Sequence, residues 1–117
     1  MKYVDGFLIP IPKKNLKAYQ AMARMGGKVW MEHGALQYLE CVGDDLDIKG
    51  VLTFPRQMKL KRGETALFSF IVYKSKAHRD RVNKKVMADP RMKVPPKRMP
   101  FDMKLMAYGG FKTIVDM

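Results

Sequence analysis

Two carboxylates that lie within apolar stretches of the sequence are its first candidates for chemistry. Asp5 interrupts the apolar segment 3–9, and Glu40 interrupts the segment 35–42. A carboxyl group buried in such surroundings has a raised pKa and can act as a general base. Alternatively, each carboxylate pairs with one of the many lysines and has a structural role. The sequence leaves both interpretations open and does not show whether the two residues meet.

His33 is the third candidate, because an imidazole can exchange a proton near neutral pH. It follows Glu32 at the expected end of a helix. There it could act as a proton shuttle, or it could stabilise the helix by facing the C-terminal carbonyls and their dipole. For an enzyme, we predict His33 and Asp5 as proton-transfer groups and Glu40 as a further catalytic carboxylate.

Aromatic side chains could complete such a site. At strand and helix spacing they usually belong to the core, but they also line apolar pockets. In the pocket interpretation, Trp30 and Tyr38 are the walls. The predicted ligand-binding set is Tyr3, Trp30, Tyr38, Phe70 and Tyr73.

The sequence predicts no metal site and no cofactor. Cys41 is a lone strand cysteine, which favours a buried and inert side chain. His33, Glu40, Cys41 and Asp44 lack the paired spacing of zinc ligands. The acidic segment 44–47 fails the calcium-loop pattern, and the chain has no phosphate-binding or dinucleotide-binding glycine motif.

The predicted elements that must position these residues alternate between strands and helices. Apolar residues at steps of three and four predict an amphipathic helix over 13–33, which Gly34 ends in a left-handed conformation. The Gly26-Gly27 pair indicates a bend or a close backbone approach within it. A second helix begins at a Ser75 cap, runs to about Met87 and is broken by Asp89-Pro90. Strands are predicted over residues 3–9, 35–42, 65–73 and 104–115.

Prolines and glycines mark further expected boundaries. Pro10 and Pro12 should close the first strand, because proline cannot donate to a continuing ladder. Residues 52–60 are predicted to be extended, with Pro55 indicating an edge position. Gly109-Gly110 predicts a bulge or bend in the last strand.

Length and composition predict one domain over residues 1–117. The hydrophobic content of 47% excludes a disordered chain. No apolar run approaches the ~20 residues of a membrane span. The first residues have no signal-peptide pattern, and the single cysteine fits a reducing environment, so we expect a cytoplasmic protein.

The charge is strongly basic, with 23 Lys and Arg against 11 Asp and Glu and a net charge of +12. Such a surplus attracts nucleic acid or other anions and steers association. The alternative is a merely solvated surface, since no nucleic-acid motif accompanies the charge.

The chain resembles the YbaA-like family of small uncharacterised proteins along essentially its whole length. The most specific motifs of the resemblance are the segment Lys84–Met92 and the later segment Met99-Pro100-Phe101-Asp102. Phe70 departs from the family pattern, where a tryptophan is usual, and Met103 and Leu105 replace a common glycine and arginine. Further matching segments are Tyr3–Phe7, Lys28–Trp30, Glu32–Leu36, Glu40–Val42, Asp44-Asp45, Phe68-Ser69, Ile71–Ser75 and His78–Asn83.

The elements predicted from the residues have the order β-α-β-β-α-β, the ferredoxin-like α+β arrangement plus an extra extended segment. The resemblance implies the same fold, with helices on one face of the sheet. It also implies a homodimer in which two four-stranded sheets meet as a dimeric α+β barrel. Relatives in that superfamily include enzymes that work without a cofactor, but the family itself has no settled activity.

Three functions follow as hypotheses. The first is a small dimeric protein that binds a small molecule in a helix–sheet pocket, with cofactor-independent catalysis as an extension of this hypothesis. The second is a basic protein that associates with nucleic acid, if only non-specifically at low salt. The third is a structural dimer without a ligand.

Overall fold

The computed structural model describes residues 1–117. It contains four antiparallel strands, two long helices and one short helix. The strands lie in the order β2-β3-β1-β4, as expected for the predicted β-α-β-β-α-β arrangement. The strands are β1 (Tyr3–Pro12), β2 (Gln37–Val42), β3 (Glu64–Tyr73) and β4 (Ala107–Lys112), and the helices are α1 (Leu16–Glu32), α2 (Phe54–Gln57) and α3 (Lys76–Ala88). The predicted α+β class and the four-stranded sheet are confirmed.

The two faces of the sheet differ because successive side chains of a strand point to opposite sides. One face is covered by α1 and α3 and holds two apolar clusters. The first joins Val29 and Val82 of the helices to Ile71 and Tyr73 of β3. The second is built from Ile9, Ile11, Tyr19, Ala23 and Leu67. Neither long helix covers the opposite face, where Phe54 of α2 lies beside Leu8 and Phe68 at one end and Phe68 and Phe111 are 48% and 62% exposed.

The helix boundaries follow the predicted signals. Gly34 has a φ of +115°, which places it in the left-handed region just after α1. The Ser75 hydroxyl accepts a hydrogen bond from the His78 backbone N–H at 3.1 Å and so caps α3. Asp89 ends α3, and its side chain caps the following turn by accepting from the Arg91 N–H.

The predicted extended segment 52–60 is wrong, because residues Phe54–Gln57 form the short helix α2. The Thr53 side chain accepts a hydrogen bond from the Arg56 N–H at 3.4 Å, as an N-cap residue does. Pro55 lies in the first turn, where its missing N–H removes no helical hydrogen bond. The proline therefore marks a helix start and not a strand edge.

The first and last strands also differ from their predicted limits. β1 continues through Pro10 to Pro12, because β4 pairs with it only as far as Leu8 and the strand has a free edge beyond that point. β4 begins at Ala107, after a 3-10 turn capped by the side chain of Asp102. The Gly109-Gly110 pair continues the ladder in register, so the predicted bulge is absent.

Candidate functional site

A cavity of about 440 Å³ lies between the first half of α1 and the edge of the sheet formed by β2 and β3. Its volume falls within the usual range for small-molecule sites. Most of its lining is apolar, and Glu40 is its only acidic residue. The lining residues are Leu16, Tyr19, Gln20, Ala23, Arg24, Tyr38, Glu40, Cys41, Val42 and Leu67.

Glu40 is held in this cavity by two phenol groups. The Tyr19 hydroxyl donates to Oε1 at 2.6 Å, and the Tyr38 hydroxyl donates to Oε2 at 2.5 Å. Tyr38 precedes Glu40 by two residues on β2, so both side chains point to the helix-covered face. Tyr19 reaches the same carboxylate from α1. The arrangement fixes the carboxylate between helix and strand.

Both phenols remain protonated donors. Burial raises the pKa of Tyr19 and of Tyr38 well above the ordinary value, and the hydrogen bond to Glu40 and its negative charge raise each pKa further. Because neither hydroxyl loses its proton near neutral pH, Glu40 is the acceptor in both hydrogen bonds. The carboxylate is thus stabilised by neutral donors.

Gly27 allows Tyr38 to lie against α1. A Cβ atom at this position would come within 2.7 Å of the Tyr38 ring, closer than real side chains approach. Of the two predicted roles of the Gly26-Gly27 pair, the structure supports the close approach. The glycine on α1 therefore helps to set the position of a phenol that holds Glu40.

Asp5 lies in a different polar cluster, between β1 and α3. It is only 1% exposed, and Arg79 donates from Nε to its Oδ1 at 3.0 Å. Asn83 donates to Oδ2 at 3.4 Å. Arg79 also lies over the Tyr3 ring, 4.9 Å from its centroid, and hydrogen-bonds to the Tyr3 hydroxyl. This buried carboxylate is therefore paired with an arginine, whereas the sequence predicted a lysine as the alternative to catalysis.

Trp30 and Tyr73 belong to the Asp5 cluster through Asn83. The Trp30 indole N–H and the Tyr73 hydroxyl both donate to Asn83 Oδ1, each at 3.1 Å. Asn83 thus joins α1, β3 and Asp5 of β1 in one network. No buried side-chain polar atom in the protein lacks a hydrogen-bond partner. The network is a fully satisfied connection between helices and sheet.

His33 lies at the C-terminal end of α1 and contacts Asp89. Its Nε2 is 3.0 Å from Asp89 Oδ2, and Arg91 bridges Asp89 to Glu32 at 2.8 and 2.7 Å. The hydrogen bonds from Arg91, and then that with His33, hold the pKa of Asp89 well below its usual range. The cluster ties the end of α1 to the segment that follows α3.

The predicted site residues are therefore divided among several regions. Tyr38 and Glu40 line the cavity, whereas Asp5 and His33 are bound to other partners and do not. Phe70 lies on the open face of the sheet, beside Phe68. The catalytic assignment of Asp5, Glu40 and His33 stays a prediction, and the structure does not bring these three together.

Sequence reasoning missed three residues that carry these contacts. Tyr19 is absent from the predicted site residues, although its hydroxyl reaches Glu40. Arg79 and Asn83 lie one helical turn apart on α3, and that spacing was the available signal for two polar groups on one face. Their partner Asp5 lies more than 70 residues earlier in the chain, so local pattern could not identify it.

The structure contains no cluster of three or more metal-ligating side chains. None of its helices combines the length and the apolar character needed to cross a membrane.

The fold and the cavity define a class of small α+β protein, with one helix-covered sheet face and an apolar cavity beneath the first helix. The chain belongs to the family described as "Protein of unknown function (DUF1428)", whose model matches residues 2–103. It is 44% identical to the uncharacterised protein YbaA of Escherichia coli K12 over 116 residues, which cover 99% of each chain. YbaA of Shigella flexneri is similar to the same extent. The resemblance to the YbaA-like family is confirmed.

Among solved structures, the de novo designed protein Foldit4 is similar over 97% of this chain and 99% of its own, with 8% identity and a TM-score of 0.48. Similarity at this level carries no argument about function.

Proposed function

We propose that this protein binds a small molecule in the cavity between α1 and the β2–β3 edge, with Glu40 as the polar anchor. One observation carries the proposal: a carboxylate fixed by two phenols lines a cavity whose other walls are mostly apolar. Ligand sites typically combine an apolar lining with a few fixed polar groups. The cavity favours this function over that of a structural dimer without a ligand.

The chemistry that we propose for this site is proton transfer. Glu40 is the only acidic residue of the cavity, so it is the proposed proton acceptor. Tyr19 and Tyr38 would keep the carboxylate in one orientation while the proton moves. His33 and Asp5 would have to act from outside the cavity, so the geometry favours Glu40 among the three predicted groups.

A blocked cavity tests the proposal. Gln20 lies on the exposed side of α1 at the cavity, whereas the neighbouring Ala21 is exposed but does not line it. We expect metabolites that raise the melting temperature of the wild type to lose this effect in Gln20→Trp and to keep it in Ala21→Trp. Equal responses in both variants, or no response of the wild type to a broad metabolite set, would contradict the proposal.

We further propose that the protein is a homodimer formed through the open face of the sheet. Beyond the part beside α2, apolar side chains of this face are exposed, and Phe68 and Phe111 are the most exposed aromatic residues of its strands. A partner with a charged surface would not complement these apolar side chains. A second copy of the chain presents an identical apolar surface, so the two faces can bury each other. Phe70, predicted as a ligand contact, would be buried in this interface.

Sedimentation velocity of Phe68→Lys measures the proposed association. We expect the wild type to sediment as a dimer and the variant as a monomer, because a lysine in an apolar interface is costly to bury. Lys28→Glu, on the exposed side of α1, is the matched control and should remain dimeric. A monomeric wild type would overturn the dimer without affecting the ligand site.

Nucleic-acid binding is the second candidate function. It is favoured by the scarcity of acidic residues in α1 and α3, the two helices that cover the sheet. Glu32 is the only acidic residue of α1, and Asp80 is the only one of α3. Retention of RNA or DNA at low salt, lost steeply as salt rises, would indicate such binding. No retention at low salt would remove this candidate. Both a small-molecule ligand and nucleic acid are compatible with the cytoplasmic location that the lone Cys41 favours.

A further inference from the structure

We infer that the cavity beneath α1 takes an organic ammonium ion, a protonated amine on an apolar body, with its nitrogen at Glu40. This inference rests on the proposed function and adds the chemical class of the ligand. The carboxylate of Glu40 has no cationic partner. None of the seven ion pairs of the protein involves it, although the chain carries 23 Lys and Arg.

An unpaired carboxylate in a mostly apolar cavity is unusual, because buried charges are ordinarily paired. The fully buried carboxylate, Asp5, follows this rule with Arg79 at 3.0 Å. Glu40 is half-buried and has only the neutral phenols of Tyr19 and Tyr38. A cationic ligand would supply the missing positive charge.

The hydrogen-bonding capacity of Glu40 agrees with this class of ligand. A carboxylate can accept about four hydrogen bonds, and the phenols use two of them. The remaining lone pairs suit the three N–H donors of a primary ammonium group. The rings of Tyr19 and Tyr38 also line the cavity, and aromatic faces attract cations.

The apolar walls suit the body of such a ligand. Leu16, Ala23, Val42 and Leu67 surround the space next to the carboxylate. A small hydrophobic group can therefore be buried while the amine stays at Glu40. A strongly hydrated inorganic cation would gain nothing from these walls.

Two sources of positive charge repel a cationic ligand, and the strength of each repulsion depends on its distance from the cavity. The net charge of +12 acts from the whole surface, where charges farther than about 8 Å are largely screened at physiological salt. Arg24 is closer, since it lines the same cavity, and it makes no ion pair with Glu40. The contact with Glu40 outweighs both because the ammonium would touch this carboxylate, and the interaction of two charges weakens with their separation.

Three probes of similar shape but different charge test the inference: phenethylamine, 2-phenylethanol and 3-phenylpropionate. Each is titrated into the full-length protein at physiological salt, and backbone amide shifts report the affinity. We expect phenethylamine to bind on the order of tenfold more tightly than 2-phenylethanol, and 3-phenylpropionate to bind most weakly. A preference for the acid, or equal binding of amine and alcohol in the cavity, would overturn the ligand class alone.

Two variants assign the preference to its residue. Glu40→Gln keeps the acceptor oxygen but removes the charge, so phenethylamine should fall to the affinity of 2-phenylethanol while the alcohol is unchanged. Arg24→Gln is an exposed substitution that should raise the affinity for phenethylamine a few-fold. Survival of the amine preference in Glu40→Gln would contradict the inference. If none of the probes shifts residues of α1 or β2, this ligand class fails, and the metabolite screen decides the proposed function separately.

Discussion

Asp5 and Glu40 are carboxylates on neighbouring parts of one sheet face, yet their surroundings differ. Asp5 is 1% exposed and receives hydrogen bonds from Arg79 and Asn83. Glu40 is half-buried, receives two phenol hydrogen bonds and lines a cavity. The comparison shows that an acidic residue in an apolar strand does not by itself indicate a site. Its partners and the open space beside it distinguish a structural carboxylate from an available one.

Removal of the cation beside Asp5 should have the largest effect. Arg79→Met leaves a buried carboxylate without its charge partner, so the free energy of unfolding should fall by about 3 kcal/mol. Urea denaturation measures this loss. Lys76→Met, which breaks the exposed pair with Asp80, is the control and should change the midpoint little. Equal midpoints for wild type and Arg79→Met would contradict the structural role of Asp5.

Removal of a phenol beside Glu40 should cost less stability and should also change the cavity. Tyr38→Phe loses one hydrogen bond to a charged group, which corresponds to about 2 kcal/mol of unfolding free energy. Tyr19→Phe removes the other phenol and should give a similar loss in the same urea titration. Both variants should weaken ligand binding, whereas Arg79→Met should leave the ligand affinity of the folded protein unchanged. Unaltered stability in both tyrosine variants would show that these hydrogen bonds do not hold Glu40.

Alanine substitutions at the two adjacent glycines of α1 should change the unfolding free energy in opposite directions. In Gly27→Ala the new Cβ meets the Tyr38 ring at 2.7 Å, so overpacking should lower the unfolding free energy by about 1–2 kcal/mol. In Gly26→Ala the nearest atom lies at 3.7 Å, so the better helix propensity of alanine should raise it by about 0.5–1 kcal/mol. Thermal unfolding followed by circular dichroism checks both signs. The same sign for the two variants would contradict the close approach of Tyr38 to Gly27.

The smallest effect is expected at Asp89, outside both carboxylate sites. Its pKa is lowered in the folded protein by Arg91 and then by His33, so the stabilisation is complete above the unfolded-state value of about 3.9 and is lost as the pH falls below it. Asp89→Asn should therefore reduce the loss of stability below about pH 4. Urea midpoints at pH 6 and pH 3 measure the difference. An unchanged acid dependence would show that Asp89 is not coupled to Arg91 and His33 in solution.

Much of the fold could be predicted from local sequence pattern, because strand alternation and helical periodicity record which face is buried. The cap at Ser75 and the left-handed Gly34 were also predictable, since each depends on a few adjacent residues. The helix at Phe54–Gln57 was missed because Pro55 suits both a strand edge and a first helical turn. The cap formed by Thr53 decides between them.

The site could be predicted only in part, because its contacts join distant segments. Tyr38 and Glu40 were identified from one strand, and their alternation places them on one face. Their third member, Tyr19, comes from α1, and its hydroxyl direction follows from how the helix packs on the sheet. The same limit applies to Asp5, whose arginine lies 74 residues away. Sequence indicated candidate carboxylates, and tertiary contacts distinguished their roles.

Chemical-shift mapping with phenethylamine tests the central contrast between the two carboxylates most directly. Saturating amounts of the amine should shift the backbone amides of residues 16–24 and 38–42 around Glu40. The amides around Asp5, Arg79 and Asn83 should remain unchanged. Shifts concentrated around Asp5 and Arg79, with none along α1 and β2, would contradict the assignment of Glu40 as the available carboxylate.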